Sequence, residues 1–202
     1  GGPGGPAKQF WPQLDKLKAQ GKISFFEYRG GTRHEGLWVT VQKPPYNSLK
    51  LRQAMNLAID RTEYGQIILN DRYVAAGITY READAPYGRP QSEIWNVFPG
   101  WGTGAKKQQE VEQAKQLVKD AGYPNGITIP FLKSGAGADA EVLQQHLERV
   151  GIRSPFDVVG TQDIFNGRLL TQEYSQATFS FALTTAAPEE IVGTYWVTGG
   201  SR

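Results

Sequence analysis

The chain has 202 residues, with 22 Lys and Arg against 20 Asp and Glu and a formal net charge of +2. That length can bury roughly 70% of the unfolded surface, so folding needs neither disulfide nor metal, and it suits one large domain or two small ones. The absence of cysteine excludes disulfides, thiolate zinc sites and a cysteine nucleophile. The near-neutral charge, with no helix face or tail that concentrates Lys and Arg, argues against nucleic acid as a partner. No apolar run reaches the ~18 residues that span a bilayer. Aromatic residues make up 11%, many of them outside the periodic segments. Exposed Trp and Tyr in such places commonly serve a ligand cleft or an interface.

In chain order, residues 1–6 (GGPGGP) have no side chains able to pack and read as a flexible linker or cloning scar. Residues 7–202 then read as a single α/β unit. The pattern predicts a helix over residues 10–20 with Leu14 and Leu17 inward, an aromatic strand over 23–28, a turn at 29–32 running on through Arg33 and His34, and an alternating strand over 36–42. Pro44 and Pro45 end that strand, because proline has no N–H to give a ladder. Leu51, Ala54, Met55, Ala58 and Ile59 then form one stripe of helical period, with Ser48 or Asn47 available as its cap. Asp60 followed by Glu63 has the form of a capping box that opens a second short helix, and Ile67, Ile68 and Leu69 supply a second buried edge. Residues 70–104 are long and irregular, rich in Pro and aromatics, with one helical turn expected over 94–98.

The clearest helix covers residues 106–121. Val111, Ala114, Leu117, Val118 and Ala121 face inward, while Glu110, Glu112, Lys115, Lys119 and Asp120 form the wet face. Gly122 is the expected left-handed stop and Pro124 blocks continuation. A strand over 127–132 follows, with Pro130 suggesting an edge or bulge. Then come a glycine loop at 134–139, a helix over 140–150 with Val142, Leu143, Leu147 and Val150 inward, a strand over 154–159, a short helix over 163–170, an alternating strand over 177–183 and a final helical segment over 188–195. Strands interleaved with helices make an α/β layer with a mixed sheet flanked by helices. Residues 127–159 form a βαβ crossover.

Several stretches carry a resemblance. Pro44, Pro45, Tyr46, Arg52, Gln53, Ala54, Ala58, Ile59, Asp60 and Arg61 are similar to a segment of the family 5 extracellular solute-binding proteins of ABC importers, the family of dipeptide-, oligopeptide- and nickel-binding proteins. Ala114, Lys115, Leu117 and residues 121–126 (AGYPNG) resemble a second family segment. Leu143, Gln144, Gln145, Leu147, Val150, Gly151 and Ile152 resemble a third, and Pro99 and Gly100 fall where the family has a Leu-Pro-Gly-Tyr segment. The resemblance runs from about Ile23 to the last residue. It implies a lobe of the type II periplasmic-binding-protein kind, the second of two lobes around a cleft. The parent protein would capture a small solute (peptide, sugar or metal chelate) outside the cytoplasm, periplasmic or extracellular and membrane-associated, and deliver it to an ABC permease. Its first lobe is the absent partner of this one. The resemblance implies no catalytic chemistry and no cofactor.

The same resemblance implies a cleft wall at Thr184, Thr185, Ala187 and Glu189, after the strand over 177–183. Ala187 stands where peptide-binding members have an Asp that pairs with the peptide's amino terminus. An alanine cannot neutralise an ammonium, and burying one unpaired is costly. The plainer reading is that Glu189 and Glu190 open a helix near its positive end. Tyr80, Tyr87 and Trp101, along with Trp95, are candidates to stack on a solute, or else to fill the underside of a long loop. His146 lies on the apolar helix stripe and reads as a satisfied boundary residue, His34 as a solvated one; two such histidines make a poor metal site. Gly135 and Gly137 lack the rest of a phosphate-binding motif. No nucleophile elbow accompanies the histidines, so a small α/β hydrolase is the weaker alternative. A protein-interaction module that pairs as a homodimer through the exposed lobe face is another.

Overall fold

The structure, a computed structural model, describes residues 10–24, 33–69, 89–134, 138–160 and 162–182. Helix α1 is Trp11–Ala19. Strand β1 is Arg33–Val39, so Arg33 and His34, expected in a turn, belong to a strand; the rest of that expected turn, 29–32, lies outside the described residues, and residues 41–47 form a turn after β1. The expected strand over 23–28 falls largely outside the described residues. So do the glycine loop at 135–137 and the helical segment over 188–195.

The central helix pair forms as α2 (Leu49–Ala58) and α3 (Arg61–Tyr64). Of the two candidate caps for α2, Ser48 does the work: its hydroxyl accepts from the N–H of Leu51. Leu51, Ala54, Met55, Leu57 and Ala58 are buried, as the stripe requires. The capping box of α3 is half made. Asp60 Oδ1 accepts from the Glu63 N–H at 2.9 Å, but the Glu63 carboxylate turns away to His146 and Arg149. A π-helical turn, Gly65–Leu69, follows. Its wider winding breaks the 3.6-residue stripe, and Ile67, expected inward, is 43% exposed.

Helix α4 is Gln91–Val97, longer than the single turn expected. Helix α5 is Gly104–Asp120, closed by Gly122 with φ +98°, the left-handed stop. Ala114 and Val118 are buried as expected, but Glu110, expected on the wet face, is 6% exposed. Short strands β2 (Ile127–Thr128) and β3 (Phe131–Ser134) precede helix α6 (Ala138–Glu148). Strands β4 (Ile152–Arg153) and β5 (Phe156–Val159), helix α7 (Gln162–Leu170) and strand β6 (Gln176–Ala182) complete the described chain.

The main sheet has the order β1-β6-β3-β5. Strands β3, β5 and β6 are mutually parallel and β1 is antiparallel to β6, so the sheet is mixed. The pairs β2·β4 and β3·β5 are one parallel ladder in a constant register, interrupted where Pro130 faces Pro155. Backbone bonds bridge the break: Ile129 N–H donates to Arg153 at 2.8 Å and Phe131 N–H to Pro155 at 2.9 Å. Pro130 therefore marks neither an edge nor a bulge but a gap inside the ladder. Gln176 fills the gap with its side chain. Its Nε2 donates to the Ile129 carbonyl at 3.0 Å and to Ser154 Oγ at 2.8 Å, and its Oε1 accepts from the Tyr46 hydroxyl at 2.5 Å.

Among the described residues three buried clusters pack against the sheet, one of them Phe131, Ala140 and Leu143 beneath α6. On one side Tyr46, Leu51, Ala54, Met55, Ala114, Val118, Ile129, Leu147, Val150 and Ile152 join α2, α5 and α6 to the strands. On the other, Leu132, Val159, Phe165 and Ala177 pack α7. Each fully buried Leu contributes roughly 1.5–3 kcal/mol. Burial pushes the Tyr46 phenol far above its ordinary value, so the hydroxyl stays protonated and donates. Tyr46→Phe leaves Gln176 Oε1 buried without its donor. A loss of about 1–3 kcal/mol is expected, read as a lower urea midpoint at unchanged m-value.

Candidate functional site

In open α/β sheets, ligands bind outside the carboxyl ends of the parallel strands. Here those ends are Ser134 of β3, Val159 of β5 and Ala182 of β6. The β3·β6 register places Ser134 level with Phe179, so among the described residues β6 continues past β3, paired with β1. The overhang carries Ala182 opposite Arg33, Phe181 opposite His34 and Ser180 opposite Glu35. At about 3.3 Å per residue it reaches on the order of 10 Å beyond β3. The expected wall residues Thr184, Thr185, Ala187 and Glu189 follow Ala182 directly in sequence, and they lie outside the described residues, as do Tyr80 and Tyr87. Sequence reasoning missed the placement of residues 33–35 at this edge, because the alternation of apolar and polar residues begins only at Gly36.

Trp101 is described. Its half-buried ring lies under the Arg61 guanidinium, whose Cζ is 4.5 Å from the ring centroid. Trp95 is also half-buried, in α4. Both belong to a polar knot that fixes residues 95–102 against the central helices. Arg61 donates to the carbonyls of Asn56 at 3.1 Å and Gly100 at 2.6 Å, and to Asn56 Oδ1 at 2.7 Å. Lys107 Nζ donates to the carbonyls of Leu57 (3.2 Å), Ile59 (3.0 Å) and Gly100 (3.0 Å). Glu110 accepts from the N–H of Gly100 at 2.9 Å and of Gly102 at 3.2 Å, and pairs with Lys107 at 2.7 Å. Lys106 caps the end of α4 through the carbonyls of Trp95 and Asn96, at 2.8 and 2.7 Å.

Burial lowers the proton affinity of Arg61 to about 10, against the pull of Glu110 and Asp60. Burial likewise lowers that of Lys107, opposed first by its bond to Glu110. Arg61 is still protonated at neutral pH, and Glu110 is the buried acidic side chain that faces it and Lys107. That is why Glu110 lies inward on a helix whose polar pattern placed it outside.

A second polar group joins α3 to α6. His146 is wholly buried, and its Nε2 lies 3.0 Å from Glu63 Oε2. Arg149 adds a two-pronged bond to the same carboxylate, at 2.7 and 3.0 Å. His146 Nδ1 is buried with no hydrogen-bond partner, so this histidine is deeper and less satisfied than its sequence position suggests. A depression of about 320 Å³ lined by Lys43, Asp157, Arg168, Gln172 and Tyr174 lies at the opposite, amino end of β6, and none of the expected site residues borders it.

The sequence matches the family described as "Bacterial extracellular solute-binding proteins, family 5 Middle" over residues 6–201. The chain belongs to this family. It is 28% identical over 118 residues to heme-binding protein A of Haemophilus influenzae, an alignment covering 58% of this chain and 19% of that protein. It is 26% identical over 124 residues to the glutathione-binding protein GsiB of Pectobacterium atrosepticum, covering 59% and 21%. Among solved structures it resembles the periplasmic binding protein DppA of Helicobacter pylori, in complex with the peptide STSA, with a TM-score of 0.67, 22% identity, and coverage of 93% of this chain and 34% of that one. The murein tripeptide binding protein MppA in its unliganded open form gives 0.68 at 16% identity, covering 90% and 34%. These structures share the mixed α/β fold of type II periplasmic binding proteins, and the chain spans about a third of their length and about a fifth of the curated relatives'.

The polar knot gives the family segments a physical reading, since Arg61 of one grips the Gly100 carbonyl of another. Gly100 has φ +85°, and a Cβ there would meet the Asn56 carbonyl at 2.5 Å. Gly100→Ala is expected to cost more than about 1 kcal/mol. Glu110→Gln, which leaves Lys107 without its charge partner, is expected to cost about 3–5 kcal/mol. Thermal unfolding of both variants checks this, and a Tm unchanged from the parent would contradict it.

Proposed function

We propose that the chain is the second lobe of the solute receptor of an ABC import system, binding rather than catalytic. A small solute (peptide, sugar or metal chelate) is held between this lobe and the first, and the closed form docks on the permease. The observation that carries this reading is the family match over residues 6–201, supported by a mixed sheet whose parallel strands all point their carboxyl ends toward one edge. Residues Thr184, Thr185, Ala187 and Glu189 face the solute from the segment after β6, and Tyr80, Tyr87 and Trp101 from the aromatic stretch. With Ala187 in place of an acid, a free peptide amino terminus is not the main anchor. The receptor works outside the cytoplasmic membrane, tethered in the parent protein; among the described residues no helix is long and apolar enough to cross a membrane.

Capture works by differential binding. Contacts made to both lobes stabilise the closed state over the open one, and the guest shifts the equilibrium by that difference. One lobe alone supplies only part of the contacts. Titration calorimetry against a tripeptide, an oligosaccharide and a nickel chelate is the test, with the chain alone and joined to a first lobe. The joined protein is expected to bind one class at least ~100-fold more tightly, about 2.7 kcal/mol. Micromolar binding by the 202-residue chain alone would contradict the reading.

A further inference from the structure

We propose that Glu63, His146 and Arg149 form a proton-operated latch that fastens α3 to α6 at neutral pH and releases it in mild acid. Helix α3 has four residues, too few to stand by itself. It is held at its start by the Asp60 cap and at its far side by the bonds from Glu63 to His146 and Arg149. The His146 ring is wholly enclosed. Because Glu63 accepts, the Nε2 proton points at it and Nδ1 carries the bare lone pair. A second proton therefore arrives at Nδ1, where the protein offers no acceptor. An N–H buried in that way forfeits the bonds it makes in water.

The charges acting on the ring are Glu63 from α3, Arg149 just past the end of α6, and Asp60 at the α3 cap. The other elements packed on α6, α2 and β4, add no further charge to it. Burial is the largest influence and lowers the proton affinity of His146 below the ordinary 6.5, ahead of the opposing bond to Glu63, while Arg149 lowers it further. Glu63 is itself held below its ordinary 4.5, first by Arg149. With Glu63 held below 4.5 and Arg149 raised above its ordinary value, His146 is the member of the trio whose ordinary value lies nearest neutral pH. Its folded-state affinity is the lower one, so the latch contributes fully above about pH 6.5 and weakens as the pH falls toward the folded value. From α3 the chain enters the π-turn 65–69 and then the segment bearing Tyr80 and Tyr87. Acid thus loosens the root of a segment that contacts the solute, a consequence that rests on the proposed function.

Hydrogen exchange of the 202-residue chain at pH 7.5 and 5.0, corrected for intrinsic rates, is the test. Amides of residues 61–69 are expected to exchange at least about threefold faster at pH 5.0, while those of α5 do not change. His146→Gln keeps a donor for Glu63 but does not titrate, and it is expected to abolish the response. In the unmodified chain an NMR titration of the His146 imidazole is expected to show a midpoint below 6.5, which keeps the idea testable if the variant does not fold. Equal exchange at both pH values, a midpoint at or above 6.5, or an intact acid response in His146→Gln would each overturn the latch. None of these readouts involves a solute, so they succeed or fail independently of the receptor reading.

Discussion

The break between α2 and α3 is where this fold is tied. A helix end leaves carbonyls without partners, and here cationic side chains rather than a glycine cap reach them. Lys107 reaches across from α5 to the carbonyls of Leu57 and Ile59, and Arg61 folds back onto Asn56. Both cations also hold Gly100, and Glu110 holds the N–H groups on the other side of that residue. A charge removed from water is costly unless paired and hydrogen-bonded. This group meets both conditions, and in doing so it fixes α2, α3, α5 and the stretch after α4 relative to one another.

The sheet has a comparable economy. Two facing prolines deprive the β2·β4 and β3·β5 ladder of donors at one level. The amide of Gln176, wholly buried, supplies what is missing and links β6 to both. Tyr46, which begins the central helical region, completes that amide's bonding. One side chain thus connects the turn before α2, the interrupted ladder and the strand that leads toward the carboxyl edge.

Much of this was legible in the sequence. The α2 stripe, the Ser48 and Asp60 caps, the Gly122 stop and the α6 face all follow from short-range patterns, and each forms. The mixed sheet followed from the alternation of strand and helix patterns. What the sequence concealed were residues whose partners are distant. Glu110 reads as a surface acid until Lys107 and the Gly100 amide are seen around it. Glu63 reads as half of a capping box until Arg149, 86 residues away, claims it. His146 shows its depth only after α3 is laid over α6. The expected wall at Thr184–Glu189 rests on resemblance, and its connection to the fold is that β6 ends just before it.

Among the described residues, strand β5 stands on the outside of the main sheet, a position where open backbone groups invite another strand to add itself. It is only four residues long, and Pro155, immediately before it, has no N–H to offer an incoming chain. The same residue that interrupts the ladder inside the molecule also blunts its rim, so one proline serves both the interior of the sheet and its protection against fibre-like stacking.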